Sequence, residues 1–336
     1  MKQPFETMPT VLNAEEIISK AVRDAEREEV ELSDRVPAII KAKKREAARI
    51  RAAEKASAGY LESLVKTVPT IDNLHPFYMD VLEVLVGIAE AKAALGRLSR
   101  SARIIREAAR SSLSRLRRPK NPKDAASARR AFIGRMASIV RGAAADLETV
   151  AKLRERMKDL PAADPAVPTV VLAGYPGVGK STIVRAISSA KPETRVYPFT
   201  TQAVIVGHAK IGGMTVQMVD TPGLLDRPIE RMNKTELLAI TALSKLSSVV
   251  AFIVDVSEAN AFTIDRQKAL YDGVRESFPQ IPFLVFFNKA DAADQSQIAR
   301  AESLFGKRKA LSALTGDGLG SFISEVEGAL KELYPA

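Results

Sequence analysis

The stretch that decides the fold of the C-terminal half is Gly174-Tyr175-Pro176-Gly177-Val178-Gly179-Lys180-Ser181, which follows the β-rich run Thr169 to Ala173. It matches the phosphate-binding pattern GxxxxGK(S/T) in the required order of strand, loop and helix. A glycine-rich turn without a ligand is the alternative, and the apolar helix pattern that follows disfavours it. The predicted phosphate-binding residues are Gly174, Tyr175, Pro176, Gly177, Val178, Gly179, Lys180, Ser181 and Thr182.

A second motif, Asp220-Thr221-Pro222-Gly223, follows the strand-like run MTVQMV. An aspartate at a strand end facing a P-loop can hold Mg²⁺, and the glycine can offer its N–H to a γ-phosphate. Alone, this tetrapeptide is a common turn, but its position gives it weight. We therefore expect Lys180 to bridge the β- and γ-phosphates, while Ser181 and Asp220 hold Mg²⁺.

The third motif, Asn288-Lys289-Ala290-Asp291, follows the apolar run PFLVFF. One carboxylate accepts both the N1–H and the exocyclic amine of guanine, whereas adenine presents an acceptor there. Asp291 therefore predicts GTP rather than ATP. A weaker fourth signal follows a short strand predicted at 307 to 311 and could close over the base. The predicted guanine-binding residues are Asn288, Lys289, Asp291, Ser312, Ala313 and Leu314.

In chain order these motifs match the G1, G3, G4 and G5 elements of GTPases. The first switch should then lie at Tyr197-Pro198-Phe199-Thr200-Thr201. A switch threonine, Thr201 first and Thr200 second, would give its hydroxyl to Mg²⁺ and its N–H to the γ-phosphate. The sequence therefore predicts a GTPase whose catalytic residues are Lys180, Thr201 and Gly223.

Leu224 stands where Ras-like enzymes carry a water-orienting glutamine. An aliphatic side chain cannot hydrogen-bond a nucleophile, so we expect slow intrinsic hydrolysis that another group completes. The nearby Arg227 has two interpretations, an arginine finger or the partner of a salt bridge.

The N-terminal half is predicted to be helical. Its apolar residues recur every three or four positions over about 14 to 31, 37 to 67, 77 to 94, 96 to 117 and 122 to 157. The proline-rich segment LPAADPAVP at 160 to 168 ends this pattern, and short β-rich runs alternate with helices after it. The predicted protein is multidomain: an all-α bundle at 1–160, a linker at 161–168, and a doubly wound, mostly parallel α/β domain at 169–336.

Positive charge is concentrated in the helical half. The whole chain has a net charge of +10, and residues 92 to 141 hold 15 basic residues against Glu107 and Asp124, which is +13. A solvated helix face normally mixes signs, so this excess favours an anionic polymer as partner. On the helix 96 to 117, helical-wheel geometry separates an apolar stripe from a row of arginines. The predicted RNA-binding residues are Arg103, Arg106, Arg110, Arg117, Arg118, Lys120 and Lys123.

Two other partners for these cations stay open: an anionic membrane and an acidic protein. Either would make the chain a GTPase signalling switch. The apolar face of the basic helix is rich in alanine and lacks tryptophan and phenylalanine, which disfavours the membrane. Because the chain has no tryptophan and few aromatic residues, stacking on single-stranded RNA is also disfavoured.

Composition excludes several classes of site. The absence of cysteine excludes disulfides and thiolate chemistry, and two histidines are too few for a histidine-rich metal centre. No signal sequence and no long apolar run is present, so the expected location is the cytoplasm. We expect a monomer with no DNA partner.

The motifs resemble one family over nearly the whole chain. Tyr197 to Thr201 is similar to the first switch of Obg-related GTPases, and Gly174 to Thr182 with Asp220 to Pro228 resembles the Nog-type nucleolar GTP-binding proteins. The likeness continues through Leu74 to Tyr78, Ala94 to Arg97 and Gly134 to Met136. The chain looks like the short archaeal form.

The resemblance implies a role in large ribosomal subunit assembly. The helical bundle would contact rRNA and the pre-ribosomal particle beside other assembly factors, and GTP bound to the G domain would time release. The family commonly has asparagine where this P-loop has Gly177, a side chain associated with a monovalent cation. K⁺ stimulation is therefore doubtful for this chain.

Overall fold

A computed structural model of the chain describes residues 4–31, 33, 35–117, 121–158, 167–196, 203–227, 232–258 and 262–335. These residues form two compact units. One contains 4–73 and 86–158 and is helical. The other contains Leu74–Leu85 together with 167–335 and is an α/β unit. Within the described ranges, no helix has the length and apolar character needed to cross a bilayer.

The helices of the first 158 residues are α1 (Ala14–Arg27), α2 (Ala38–Glu54), α3 (Tyr60–Thr67), α4 (Pro76–Leu85), α5 (Ile88–Arg115), α6 (Pro122–Gly142) and α7 (Ala144–Lys158). A π-helical turn, Lys55–Gly59, joins α2 to α3 without a break, so the predicted helix over 37 to 67 is interrupted only in its hydrogen-bond register. α1 ends at Arg27, four residues before the predicted 31.

The predicted boundary between helices at 94 to 96 is wrong. The break lies at Gly87, whose φ of +87° takes the backbone out of the helical region. α4 therefore ends at Leu85, and α5 runs through Gly96 to Arg115. The predicted helix over 122 to 157 also divides, because Ala143 leaves helical geometry between α6 and α7.

α6 begins with a side-chain cap. Asn121 is extended, and its side-chain oxygen accepts a hydrogen bond from the Asp124 N–H at 3.0 Å, with Pro122 as the first helical residue.

Among the described residues of the helical unit, Glu46 is the most buried carboxylate. Glu46 on α2 is 3% exposed, and its Oε2 accepts a hydrogen bond from Arg129 Nε on α6 at 2.6 Å. Arg49 and Arg45 lie 3.6 and 3.7 Å from its other oxygen. This acid therefore ties α2 to α6 inside a core made mostly of alanine and aliphatic side chains.

The α/β unit is built on a seven-stranded sheet of order β2-β3-β4-β1-β5-β6-β7. Its strands are β1 (Thr169–Ala173), β2 (Glu193–Val196), β3 (Ala203–Ile211), β4 (Met214–Asp220), β5 (Val249–Asp255), β6 (Phe283–Asn288) and β7 (Lys309–Ala310). β3 pairs antiparallel with both β2 and β4, whereas the pairs β4–β1, β1–β5, β5–β6 and β6–β7 are parallel. The polar run ETRV gives β2 no apolar alternation, and the sequence did not predict it.

Five helices complete this unit after the P-loop: α8 (Lys180–Ile187), α9 (Lys234–Leu246), α10 (Ile264–Ser277), α11 (Gln295–Phe305) and α12 (Leu319–Leu333). The earlier helix α4 packs on α9. Its Phe77, Tyr78, Val81 and Leu82 are buried, and Asp80 pairs with Lys245 at 2.6 Å. The predicted domain boundary at 161–168 does not account for this helix, which belongs to the α/β unit.

Candidate nucleotide site

The P-loop backbone has a shape that only glycine adopts readily. Gly174, Gly177 and Gly179 have φ values of +132°, +77° and +104°. A Cβ atom on Gly174 would lie 2.5 Å from the Ile253 carbonyl oxygen, and one on Gly179 would lie 2.1 Å from Asn288 Nδ2. The loop then enters α8 at Lys180, so its N–H groups gather at a helix N-terminus.

Lys180 is held by the loop itself. Its Nζ donates to the carbonyl oxygens of Gly174 at 2.7 Å and Tyr175 at 3.0 Å, and the residue is 5% exposed. Burial lowers the pKa of Lys180, while the carboxylates of Asp220 and Asp226 act in the opposite direction. The lysine thus lies near Asp220, which ends β4, and Asp226, which lies in the turn that follows β4.

Oxygen ligands suited to Mg²⁺ lie next to this lysine. The Ser181 hydroxyl donates to Asp220 Oδ2. Asp220 is fully buried at the end of β4, and its other oxygen, Oδ1, has no hydrogen-bond partner among the described residues; the same is true of Thr221 Oγ1. Burial raises the pKa of Asp220, and Lys180 and Ser181 counteract it. A buried carboxylate oxygen without a partner fits a hard divalent cation.

The segment after Asp220 folds back on the P-loop. The Leu225 carbonyl accepts from the Gly174 N–H at 3.0 Å, and the Gly223 N–H donates to Asp226 Oδ2 at 2.8 Å. Leu224 is fully buried. The Gly223 N–H, which sequence analysis assigns to a γ-phosphate, is therefore bonded to the carboxylate of Asp226 in this structure. Sequence reasoning missed Asp226, because only the turn brings its side chain back to Gly223.

Of the two interpretations of Arg227, the structure shows the salt bridge. Its Nη2 donates to Glu236 Oε1 at 2.5 Å. Glu236 also forms the capping box with Asn233 at the start of α9. The arginine thus links the end of the Asp220 segment to that helix.

Asn288 joins the predicted phosphate and base sites. Its Nδ2 donates to the Val178 carbonyl at 2.7 Å, and its Oδ1 accepts from the Ala313 N–H at 2.9 Å. Asp291 is exposed in a single 3₁₀ turn, Ala290–Ala292. Ser312 and Ala313 are buried, whereas Leu314 is 84% exposed. The P-loop, the segment from Asn288 and the segment from Ser312 therefore meet at the carboxyl ends of the central strands.

Lys289 is fixed by a buried acid that sequence reasoning did not identify. It has a left-handed backbone with φ of +62°, and its Nζ donates to Asp255 Oδ2 at 2.7 Å. Asp255 Oδ1 accepts from both the N–H and the hydroxyl of Ser257. The Gln267 side chain bonds to the backbone N–H and carbonyl of Asp255. The run Asp255-Val256-Ser257 at the end of a buried strand was the sequence signal that could have identified this acid.

Some predicted residues lie outside the described ranges or have other partners. Thr200, Thr201, Arg118 and Lys120 fall outside them. Arg103, Arg110, Arg117 and Lys123 are exposed in the helical unit. Arg106 is not a free member of the predicted row, because it bonds to Glu62 at 2.6 Å and lies 3.8 Å from Glu54.

Comparison with known proteins gives two family matches, the first over the helical part of the chain and the second over the α/β part. Residues 5–164 match the NOG1 N-terminal helical domain, and residues 169–289 match the family described as 50S ribosome-binding GTPase. The chain belongs to the nucleolar GTP-binding protein 1 family. The predicted family resemblance and fold class are thus confirmed, and the α/β unit is a P-loop GTPase domain.

Individual members of the family differ in length. An uncharacterized protein of Methanocaldococcus jannaschii is 37% identical over 88% of this chain and 83% of its own length. The nucleolar GTP-binding protein 1 of Caenorhabditis elegans is 30% identical over 88% of this chain, which spans 43% of that protein. A crystal structure from Plasmodium falciparum, assigned to the same family, shares 31% identity over 52% of this chain and 91% of its own, with a TM-score of 0.46.

Proposed function

We propose that this protein is a GTP-hydrolysing factor of large ribosomal subunit assembly whose helical unit docks on rRNA. One observation carries the proposal: a single unit brings together Lys180, Asp220 and Asn288, while the excess of positive charge belongs to the other. The names of the matching families, which refer to the 50S ribosome and to the nucleolus, supply the class of particle.

The residues of the GTPase domain divide the work of binding the nucleotide. The P-loop N–H groups and Lys180 bind the phosphates, and Asp291 reads the guanine edge while Asn288 and Lys289 hold the base loop. Ser181 and Asp220 would hold Mg²⁺, together with Thr201; the ion would neutralise charge on the phosphates. The Gly223 N–H would donate a hydrogen bond to a phosphate oxygen.

Slow hydrolysis and timed release complete the proposal. Leu224 is buried and aliphatic, so it cannot orient a water molecule. A γ-phosphate that binds the Gly223 N–H must displace the Asp226 carboxylate, because both groups require the same donor. The GTP-bound and GDP-bound forms would therefore differ in the segment after Asp220, which is how nucleotide state could time release from the particle.

Co-sedimentation tests this function directly. The full chain, loaded either with a non-hydrolysable GTP analogue or with GDP, is incubated with extract and separated on a sucrose gradient. We expect immature large subunits to carry the GTP-analogue form and to release the GDP form. Equal binding of both forms would contradict the timing role, and no binding of either would contradict the assembly role.

A further inference from the structure

We propose that the groove between α2 and the C-terminal end of α5 binds the phosphate backbone of structured RNA; this assignment rests on the RNA docking proposed above. The groove, called the α2–α5 groove below, has a volume of about 760 Å³. Its charged lining residues are Lys43, Lys44, Arg51, Arg110 and Arg117. Three of them come from α2, which the sequence did not single out as an RNA-binding helix.

All the charged residues that line the α2–α5 groove are positive. It contains five cationic side chains and no carboxylate. The neighbouring groove between α1 and α2, about 810 Å³, offers a comparison within the same unit: its lining includes both Lys20 and Arg27 and the acids Asp24 and Glu28. Uniform positive charge is therefore not a general property of the grooves of this bundle, and it favours a polyanion in this one.

Some arginines elsewhere in the unit pair with acids: Arg106 with Glu62, Arg129 with Glu46, Arg97 with Asp146 and Arg141 with Glu15. Three cations of the groove differ from these. Within the part of the chain that the structure describes, Lys44, Arg51 and Arg110 form no ion pair with a carboxylate. They are exposed and free to bind an external anion.

A hydrogen bond between the two walls fixes one end of the groove. Lys43 Nζ on α2 donates to the Arg117 carbonyl oxygen just beyond α5 at 3.0 Å. This contact joins the two walls close to Arg117. A preformed row of charges loses less conformational freedom when a ligand binds than a row on separate mobile elements.

The chemistry of the lining selects RNA backbone over other polyanions. Three of the five cations are arginines, whose planar forks bind phosphate through two parallel hydrogen bonds. No aromatic ring lines the groove, so it offers no platform for stacking unpaired bases. None of the large apolar side chains that are exposed in the described residues lines it either, which disfavours a lipid surface.

The test compares two triple variants of the full chain with equal charge change. The groove variant is Lys44→Gln/Arg51→Gln/Arg110→Gln. The matched control is Arg100→Gln/Arg115→Gln/Arg130→Gln, three exposed arginines on α5 and α6 that do not line the groove. The probe is a labelled RNA hairpin with a stem of about 16 base pairs. Its affinity is measured by fluorescence anisotropy over a range of salt concentrations.

We expect the groove variant to bind the hairpin at least about tenfold more weakly and to lose about 2 to 3 units of the log–log salt slope, since each phosphate contact contributes up to about 0.9. The control should change affinity by less than about twofold. The charge-conserving variant Lys44→Arg/Arg51→Lys/Arg110→Lys should retain most of the binding. Thermal unfolding and GTP affinity report whether each variant is folded.

Three outcomes would overturn the groove assignment. Equal loss in the groove variant and the control would mean diffuse attraction, and loss in the control alone would place the site on the exposed arginines of α5 and α6 outside the groove. Tighter binding of a polyglutamate peptide than of the hairpin by the unaltered chain would assign the groove to acidic proteins. If the unaltered chain binds no RNA and no ribosomal particle, the proposed function itself fails, whereas particle binding that survives in the groove variant contradicts only the groove.

Discussion

Asn288 joins the P-loop to the loop at Ala313 through a single side chain. It accepts from the Ala313 N–H on the base side and donates to the Val178 carbonyl in the P-loop. The motif spacing predicted that Asn288, Lys289 and Asp291 would serve one base. It could not predict that Asp255 holds Lys289 or that Asp226 bonds to Gly223, because both contacts exist only after the chain has folded.

Asp291→Asn should change base preference. An amide donates where the carboxylate accepted, so it suits the carbonyl at position 2 of xanthine and loses the charge-assisted bonds to guanine. We expect GTP affinity to fall by about 10- to 100-fold and xanthosine triphosphate affinity to rise, as measured by calorimetry. Because Asp291 is exposed, stability should not change. Unchanged selectivity would mean that another group reads the base.

Asp226→Asn should favour the triphosphate over the diphosphate. The neutral amide competes less strongly than a carboxylate for the Gly223 N–H and does not repel a γ-phosphate. We expect the ratio of GTP-analogue to GDP affinity to rise by about three- to tenfold, measured by competition with a fluorescent nucleotide.

Asp272→Asn is the matched control, since Asp272 is exposed on α10 and pairs only with Lys268 among its described contacts. An unchanged ratio in both variants would mean that Asp226 does not compete with the γ-phosphate.

At the level of helices, the sequence predicted helical content well and helix ends poorly. The apolar periodicity continues across Gly87, so the pattern alone placed the break near 94 to 96. The break between the two helices is set by the positive φ of Gly87. This residue lies where the chain passes from the α/β unit to the helical unit. The π-helical turn at Lys55–Gly59 leaves no mark in the residue pattern either.

Helix pairing in the bundle should depend on the buried pair Glu46–Arg129. Glu46→Ala leaves the arginine without its partner in a largely dry site, so we expect a loss of roughly 3 kcal/mol in the stability of the helical unit. Hydrogen exchange of the α2 and α6 amides would measure it.

The control is Glu15→Ala, which removes the exposed pair between α1 and Arg141 of α6. Solvent and salt screen that pair, so its loss should have little effect. Similar losses in both variants would mean that burial of Glu46 does not strengthen its contact.

For the whole molecule, nucleotide binding and RNA binding should be separable. Lys180→Met keeps the length of the side chain but removes the ammonium group that we propose binds the phosphates, and should weaken GTP binding by about 10- to 100-fold. Binding of the RNA hairpin should be unchanged in that variant, and GTP binding unchanged in the groove variant. Calorimetry and anisotropy on the same preparations would show it, and loss of both functions in either folded variant would contradict the division.

The placement of α4 has a consequence for how this chain is made. The helix leaves the ribosome between α3 and α5, yet α9, which packs on it, is synthesised more than a hundred residues later. During that interval its apolar face has no native cover, which is a point where nascent chains associate wrongly. A fragment that ends at residue 160 would keep the same face uncovered permanently, and one that begins at 167 would lack the helix that α9 requires.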